Sequence, residues 1–331
     1  MSGSGTPTSL AEVVAALDDR YPPAWAEQWD RVGLVVGDPA APVRRVVCVV
    51  DCVPETADEA IDAGADLIVA HHPLLLRGVS SVAATTYKGR IVHRLIKHDV
   101  ALYVAHTNAD VANPGVSDAL AARLGLTALR PVRPAEGTAA GDGRGSGRIG
   151  RLPRPTTLAE LARRAATVLP ATAWGVRAAG DPDRTVETLA VCGGAGDFLL
   201  DAATAAGADA YLTADLRHHP ASEHGAEGGP ALLDAAHWAT ERPWLDDLAD
   251  FLRAGRDLTV TVSDLVTDPW TVHAAGPEPR IEVGSPSRAI ANRAAPPPDP
   301  TAPEPTTAAR PATESVPAAD AVPPTDKEPA P

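Results

Sequence analysis

Apolar positions recur along the chain in two rhythms. From Ser9 to about Asp19 they fall at helical spacing, with Val13, Val14 and Leu17 on one face, Ser9 as N-cap and Pro22 as the stop. Around Val43 to Cys52, "VRRVVCVVDC" is a β-branched run that predicts a strand. A helix over "PETADEAIDAGA", a buried strand "DLIVA" ending at "HHP", a helix near "GRIVHRLIKHD" and a strand "VALYVAHTNAD" follow. From Pro131 to Gly150 the periodicity lapses into "PVRPAEGTAAGDGRGSGRIG", which predicts a mobile, Gly-rich surface connection. The helical period resumes in "TTLAELARRAATVL", capped by Thr156 or Thr157, and "TVETLAVCGG" predicts another strand. Short strands alternating with helices predict an α/β architecture with a mostly parallel sheet.

This order occurs twice. Strand, turn, helix, "AGAD", strand and "HHP" run through "VVCVVDCVPETADEAIDAGADLIVAHHP" and again through "LAVCGGAGDFLLDAATAAGADAYLTADLRHHP", with Gly64 and Gly207 at the same place in the two copies. A duplicated α/β unit is the reading, its two halves facing one another across a single site.

Composition then bounds the picture. Of 331 residues, 44% are hydrophobic but only 4% aromatic, so alanine, valine and leucine must build the core. Fifteen of the 33 prolines lie in residues 277–331, where periodicity is lost and extended disorder is expected. The predicted organisation is a first α/β half over 1–130, the flexible connection over 131–150, a second half completing the site over 151–275, and a disordered Pro/Ala-rich tail over 276–331. Cys48, Cys52 and Cys192 are too few for a disulfide scaffold, which points to a reducing, cytoplasmic setting. The net charge of −14 and only three lysines argue against direct nucleic-acid binding. No apolar run reaches the ~18 residues of a membrane span, and no secretory leader pattern opens the chain.

Three groups of residues carry candidate chemistry, each where a parallel sheet presents its functional edge, since sites of open α/β sheets gather beyond the carboxyl ends of the strands. His71 and His72 follow "DLIVA", His106 and Asp110 follow "ALYVA", and His237 and Glu241 share a helix face at i, i+4 spacing. Imidazole and carboxylate suit zinc, iron or manganese. Consecutive side chains diverge, so His71 and His72 can serve two adjacent ions, and a carboxylate such as Glu241 can bridge them. Each group alone also has an ordinary reading: a strand-end backbone cap, a polar turn, a solvated helix face. Their joint occurrence favours the metal. "CGGAG" reads as an anion cradle or, more simply, a tight strand-to-helix turn. Cys192 and Cys48 read as small buried hydrophobes, and Trp25, Trp29 and Trp244 as core or subunit-contact residues.

The segments "WDRVGLVVGDP", "GADLIVAHHPLLLRG", "AHTNADVANPGVSDALAARLGL", "CGGAGDFLLDAATAAGADAYLTADL" and "AAHWATERPWLDDLADFL" together resemble the Nif-three-like family, also called the GTP cyclohydrolase 1 type 2 homologue family, over about Leu10 to His273. The resemblance implies two similar α/β subdomains facing across a dinuclear metal cleft, and a ring-shaped homohexamer. It implies His71, His72, Asp110, His237 and Glu241 as ligands of two divalent ions, Glu241 as the bridge, and His106 as a proton-transfer residue rather than a ligand. Arg31 stands where the family more often has Asn, and His218 with His219 forms a second "HHP" of open role. The implied activity is metal-dependent hydrolysis of a nucleotide, such as ring opening of GTP. The alternative is a non-catalytic hexameric scaffold or regulatory protein that holds metal.

Overall fold

Ser9 caps the first helix, Leu10–Arg20 (α1), through a reciprocal pairing in which its hydroxyl accepts from the Glu12 N–H and the Glu12 carboxylate accepts from the Ser9 N–H at 2.7 Å. The computed structural model describes residues 8–139, 141–274 and 276; the tail expected to be disordered lies, from residue 277 onward, outside the described residues. After α1 come Gly33–Val36 (β1), Arg45–Asp51 (β2), Pro54–Asp62 (α2), Leu67–His72 (β3), Tyr87–Lys97 (α3), Ala101–Val104 (β4), Thr107–Asp110 (α4) and Val116–Arg123 (α5). The remainder runs through Thr127–Pro134 (β5), Gly145–Thr157 (β6), Leu158–Val168 (α6), Val176–Ala179 (β7), Thr185–Ala195 (β8), Leu200–Ala205 (α7), Ala210–Ala214 (β9), His218–Ala226 (α8), Ala231–Ala235 (β10), His237–Glu241 (α9), Trp244–Arg253 (α10) and Thr259–Val262 (β11).

These strands form two sheets, ordered β1-β4-β3-β2-β11 and β5-β6-β8-β9-β10-β7. In the first, β11, β2, β3 and β4 are parallel and β1 is an antiparallel edge. In the second, β8, β9 and β10 are parallel and β7 is the antiparallel edge. The register repeats across the two halves: Val46 faces Leu67 and Cys48 faces Val69, while at the corresponding positions of the second copy Leu189 faces Ala210 and Val191 faces Leu212. One backbone clamp repeats with it. Asp66 accepts from the N–H groups of Arg44 and Arg45 at 2.7 and 2.8 Å, and Asp209 from those of Glu187 and Thr188 at 3.0 and 2.8 Å. Gly64 and Gly207 end the two preceding helices in the left-handed region, at φ of +63° and +77°. Two similar α/β subdomains are therefore present.

Alternation along β2 divides its side chains between two cores, as a parallel sheet covered on both faces requires. Val46, Cys48 and Val50 enter the larger core, and Val47 and Val49 pack with Ile91 and Leu95 of α3. The larger core is common to both sheets: α10 lies on β2 and β11, α5 on β6 and β8, and the two helices touch. Sequence order and sheet membership part company at the end of the chain, because β11 returns from the second half to extend the first sheet beside β2.

The segment 131–150 corrects an expectation. Its two ends belong to an antiparallel hairpin of β5 and β6, with Pro131 opposite Arg148 and Arg133 opposite Ser146, and only the stretch between the strands is loop. Glycines and arginines give it the look of a loop. However, Val132, Ile149 and Arg148 are buried, and the Arg148 guanidinium donates to Asp118 Oδ1 at 2.8 Å and to the carbonyls of Gly145 and Gly147. Pro131 and Pro134 are accommodated because β5 is an edge strand. Among the described residues, no helix is long and apolar enough to cross a membrane.

Candidate metal centre

The first sheet delivers two imidazoles at the carboxyl end of β3. His71 is fully buried, and its Nδ1–H donates to the Ala105 carbonyl at 2.9 Å, which leaves Nε2 aimed the other way. His72 lies opposite Asp51 in the β2–β3 register and donates from Nδ1 to Asp51 Oδ1 at 2.8 Å. After β4 the chain turns into the single turn α4, which brings Asp110 Oδ1 within 3.7 Å of His71 Nε2. The second sheet supplies the rest. Beyond β10, α9 holds His237 and Glu241 one turn apart, with His237 Nε2 and Glu241 Oε1 at 3.1 Å. His237 donates from Nδ1 to Asp215 Oδ2 at 2.6 Å.

Glu241 is the centre of the arrangement. Its Oε1 is 3.4 Å from His71 Nε2 and its Oε2 is 3.1 Å from His72 Nε2, while the Nε2 atoms of His72 and His237 approach to 3.3 Å. His106 completes the ring of imidazoles, its ring centroid 5.1 Å from that of His71 and 5.4 Å from that of His72. Its Nδ1 donates to Asp30 Oδ1 at 2.9 Å, and the other oxygen of Asp30 accepts from the Thr107 N–H and hydroxyl at 3.0 and 2.5 Å. All four histidines thus have Nδ1 tied down by an oxygen, the arrangement that orients metal-ligating imidazoles. His71, His72 and His106 each offer a ligand atom within 4.8 Å of one another, and so do His72, His237 and Glu241.

The residues present fit a divalent cation. His71 Nε2 is buried without a hydrogen-bond partner among the described residues, a cost of about 1–3 kcal/mol unless another group satisfies it. Space is kept clear for the carboxylate by Gly194, whose φ is +67° and where a Cβ would stand 2.4 Å from Glu241 Oε1 and 3.0 Å from His237 Nε2. "CGGAG" therefore serves as the end of β8 and makes room for the site, ahead of a short turn into α7. Trp244 is fully buried behind His71, with ring centroids 5.3 Å apart, and its indole N–H donates to the Tyr21 hydroxyl at 3.1 Å.

The charges are strongly coupled. Burial pulls the His72 imidazole down, but Glu241 and Asp51 outweigh it and hold it at about 10. Burial acts likewise on His237, which Glu241 and Asp215 raise to about 11. Burial alone would raise Glu241, yet His237, His72 and His71 hold it well below the usual carboxylate range. Asp30 is also held low, since His106 and Thr107 overcome its burial. Without a divalent cation, imidazole protons balance the Glu241 charge. The three cysteines are buried free thiols, each pushed up to about 12 by burial.

Sequence spacing alone does not single out Asp30, Asp51 or Asp215. Position 215 does carry a signal, since it follows His72 at the same offset that separates Gly207 from Gly64. The register makes Ala214 and Asp215, not His218 and His219, the counterparts of His71 and His72. The second "HHP" instead opens α8, with both imidazoles exposed. Arg31 donates from Nη1 to the Asp30 carbonyl and from its backbone to Asp30 Oδ1, so it braces the loop that presents Asp30. Of the tryptophans, Trp244 is core, Trp25 is half-buried beneath the Arg144 guanidinium, and Trp29 is exposed and T-shaped against His106, with ring centroids 5.9 Å apart. Beside His72 and His237 opens a cleft of ≈ 470 Å³, walled on its far side by Trp174, Arg177 and Trp270.

A family model described as Duf34/NIF3 (NGG1p interacting factor 3) matches residues 8–269. A Streptomyces coelicolor protein named GTP cyclohydrolase 1 type 2 homolog is 57% identical over 285 residues, spanning 84% of this chain and 99% of that protein. The Mycobacterium tuberculosis protein of the same name is 39% identical, over 81% of this chain and 98% of that protein. Among solved structures, a Staphylococcus aureus hypothetical protein superposes with a TM-score of 0.73 at 28% identity, over 81% of this chain and all of that one. A Bacillus cereus protein related to NIF3 reaches 0.75 at 24% identity over the same shares, a likeness of fold. With the match running from α1 to beyond β11 and taking in every residue of the imidazole–carboxylate cluster, this chain belongs to the Duf34/NIF3 family.

Proposed function

We propose that the chain is a divalent-metal-dependent hydrolase that holds two ions of zinc, iron or manganese and acts on a nucleotide, in line with the name GTP cyclohydrolase 1 type 2 homolog carried by its relatives. The observation that carries this reading is the convergence of His71 Nε2, His72 Nε2 and His237 Nε2 on the buried Glu241 carboxylate, at 3.4, 3.1 and 3.1 Å. In this reading His71, His72, Asp110, His237 and Glu241 would hold the ions, with Glu241 available to both. Divalent cations there would supply a lowered pKa of water and polarisation of a substrate oxygen.

The chain's own side chains do the rest. Asp51 and Asp215 fix the rings of His72 and His237 and keep each Nδ1 protonated. Asp30 does the same for His106, which leaves His106 Nε2 to take or return a proton. Trp244 seals the side of His71 away from solvent. The homohexamer implied by the family resemblance and a cytoplasmic setting, which the three free thiols support, belong to the same proposal.

The test is one preparation. Bound metal per chain is measured, and hydrolysis of GTP and a nucleotide panel is assayed for the wild type and Glu241→Ala. Two metals per chain with turnover abolished in the variant is the expected result. Bound metal without turnover on any nucleotide would turn the reading toward the non-catalytic scaffold, and absence of metal would overturn both.

A further inference from the structure

The cleft beside His72 and His237 has, at ≈ 470 Å³, the size of a small-molecule site, for which about 300–1,000 Å³ is usual. One end is the metal-facing cluster with Asp51 and Asp215. The other end is aromatic, in a chain with only six tryptophans. Trp174 precedes β7 and Trp270 follows β11, so the two indoles come from distant parts of the sequence; their centroids are 6.4 Å apart and their planes 34° from parallel. Trp270 is 63% exposed, although burying such a ring would be worth about 1.5–3 kcal/mol.

Polar contacts flank both tryptophans. Arg177 lies over Trp174, its guanidinium carbon 4.7 Å from a ring centroid, and donates from Nε to Asp234 Oδ2 at 2.7 Å. Asp234 is buried and is the cross-strand partner of Arg177 in the β7–β10 pair, so the sheet register holds the guanidinium that lies over Trp174. The Trp270 backbone N–H donates to Oδ1 of the buried Asp268 at 2.9 Å, and just before it in the chain the Thr267 hydroxyl donates to Asp51 Oδ2 at 2.5 Å. Asp51 is the group that orients His72. The segment carrying Trp270 is thus fastened to the metal end of the same cleft.

We infer that Trp174 and Trp270 form the subsite for the planar ring of the substrate, a nucleobase-like heterocycle that stacks on the indoles and is thereby presented to the His72–His237 end. Aromatic faces select flat π-systems over sugars or aliphatic chains. The inference deepens the nucleotide-hydrolase reading and rests on it for the identity of the ligand.

The test uses calorimetric binding of guanosine 5′-monophosphate and of ribose 5-phosphate to the metal-loaded full chain, for the wild type, Trp174→Ala, Trp270→Ala and Trp270→Phe. Expected is a loss of nucleotide affinity of about tenfold or more in each alanine variant. Trp270→Phe should recover most of it, ribose 5-phosphate binding should be unchanged, and metal per chain should equal the wild type. Equal binding of the nucleotide by wild type and both alanine variants, parallel losses for both ligands, or no nucleotide binding by the wild type would each overturn the subsite. Trp-dependent binding in a chain that turns over no nucleotide would sink the hydrolase reading and leave the subsite standing, whereas turnover unaffected by both alanine variants would do the reverse.

Discussion

His72 and Asp215 occupy the same position of the two duplicated halves, just at or beyond the end of the second parallel strand, and both close on His237 from opposite sides of its ring. The Nε2 atoms of His72 and His237 lie 3.3 Å apart, while Asp215 Oδ2 accepts from His237 Nδ1 at 2.6 Å. Duplication has therefore produced an unequal pair: one half contributes an imidazole at this position and the other the carboxylate that orients an imidazole.

Asp215→Asn tests that division of labour. The carboxylate side chain is 54% exposed, so the substitution should leave the fold intact. Losing the orienting charge should weaken metal binding by roughly 10–100-fold. Competition against a chromophoric chelator measures it, and wild-type affinity would mean that Asp215 does not set the His237 ring.

Gly194→Ala should expel metal through sterics alone. The new Cβ would meet Glu241 Oε1 at 2.4 Å, and the left-handed backbone adds about 1–2 kcal/mol of strain. Gly207→Ala is the control, because its φ is +77° but nothing lies within 4 Å of its Cβ. Both variants should unfold earlier in urea, yet only Gly194→Ala should lose bound metal.

The raised imidazoles make the stability of the metal-free protein depend on pH. His72 and His237 are held at about 10 and 11, above the ~6.5 of an unfolded chain, so their contribution is complete below about pH 6.5 and fades as pH rises through 10 to 11. The melting temperature of chelator-treated protein should fall steadily from pH 6.5 to 10. Saturating divalent cation, which requires neutral imidazole, should flatten that slope, and a melting temperature that rises over this range without metal would contradict the coupling.

Arg148→Met should be severely destabilising, by about 3–5 kcal/mol, because it leaves Asp118 facing a buried site without its partner. A urea midpoint near wild type would show that the β5–β6 hairpin does not depend on that pair. The double variant Arg148→Met with Asp118→Leu should recover part of the loss.

Much of the first sheet is legible in the chain because its signals are local. Ser9 with Glu12 marks a helix start, the apolar run through Cys48 marks a buried strand, and the spacing of His237 and Glu241 puts both on one helix face. The hairpin of β5 and β6 is not legible, since its decisive contact pairs Arg148 with the sequence-distant Asp118, and an arginine among glycines reads as solvent-exposed. Two of the orienting aspartates are hidden for the same reason. Asp51 acts only because β2 and β3 align it with His72, and Asp30 only because its loop lies against α4.

The sequence by itself determined the α/β class, the duplicated unit with its constant offset between copies, and the residue types able to bind a cation, because each follows from periodicity, spacing or side-chain chemistry within a short window. Only the tertiary structure decided which atoms meet. The return of β11 to the first sheet, the approach of His72 to His237 from the other half of the chain, and the pairing of Trp174 with Trp270 all rest on contacts between distant segments. Such contacts are set by how two sheets share one core, and no local pattern encodes that.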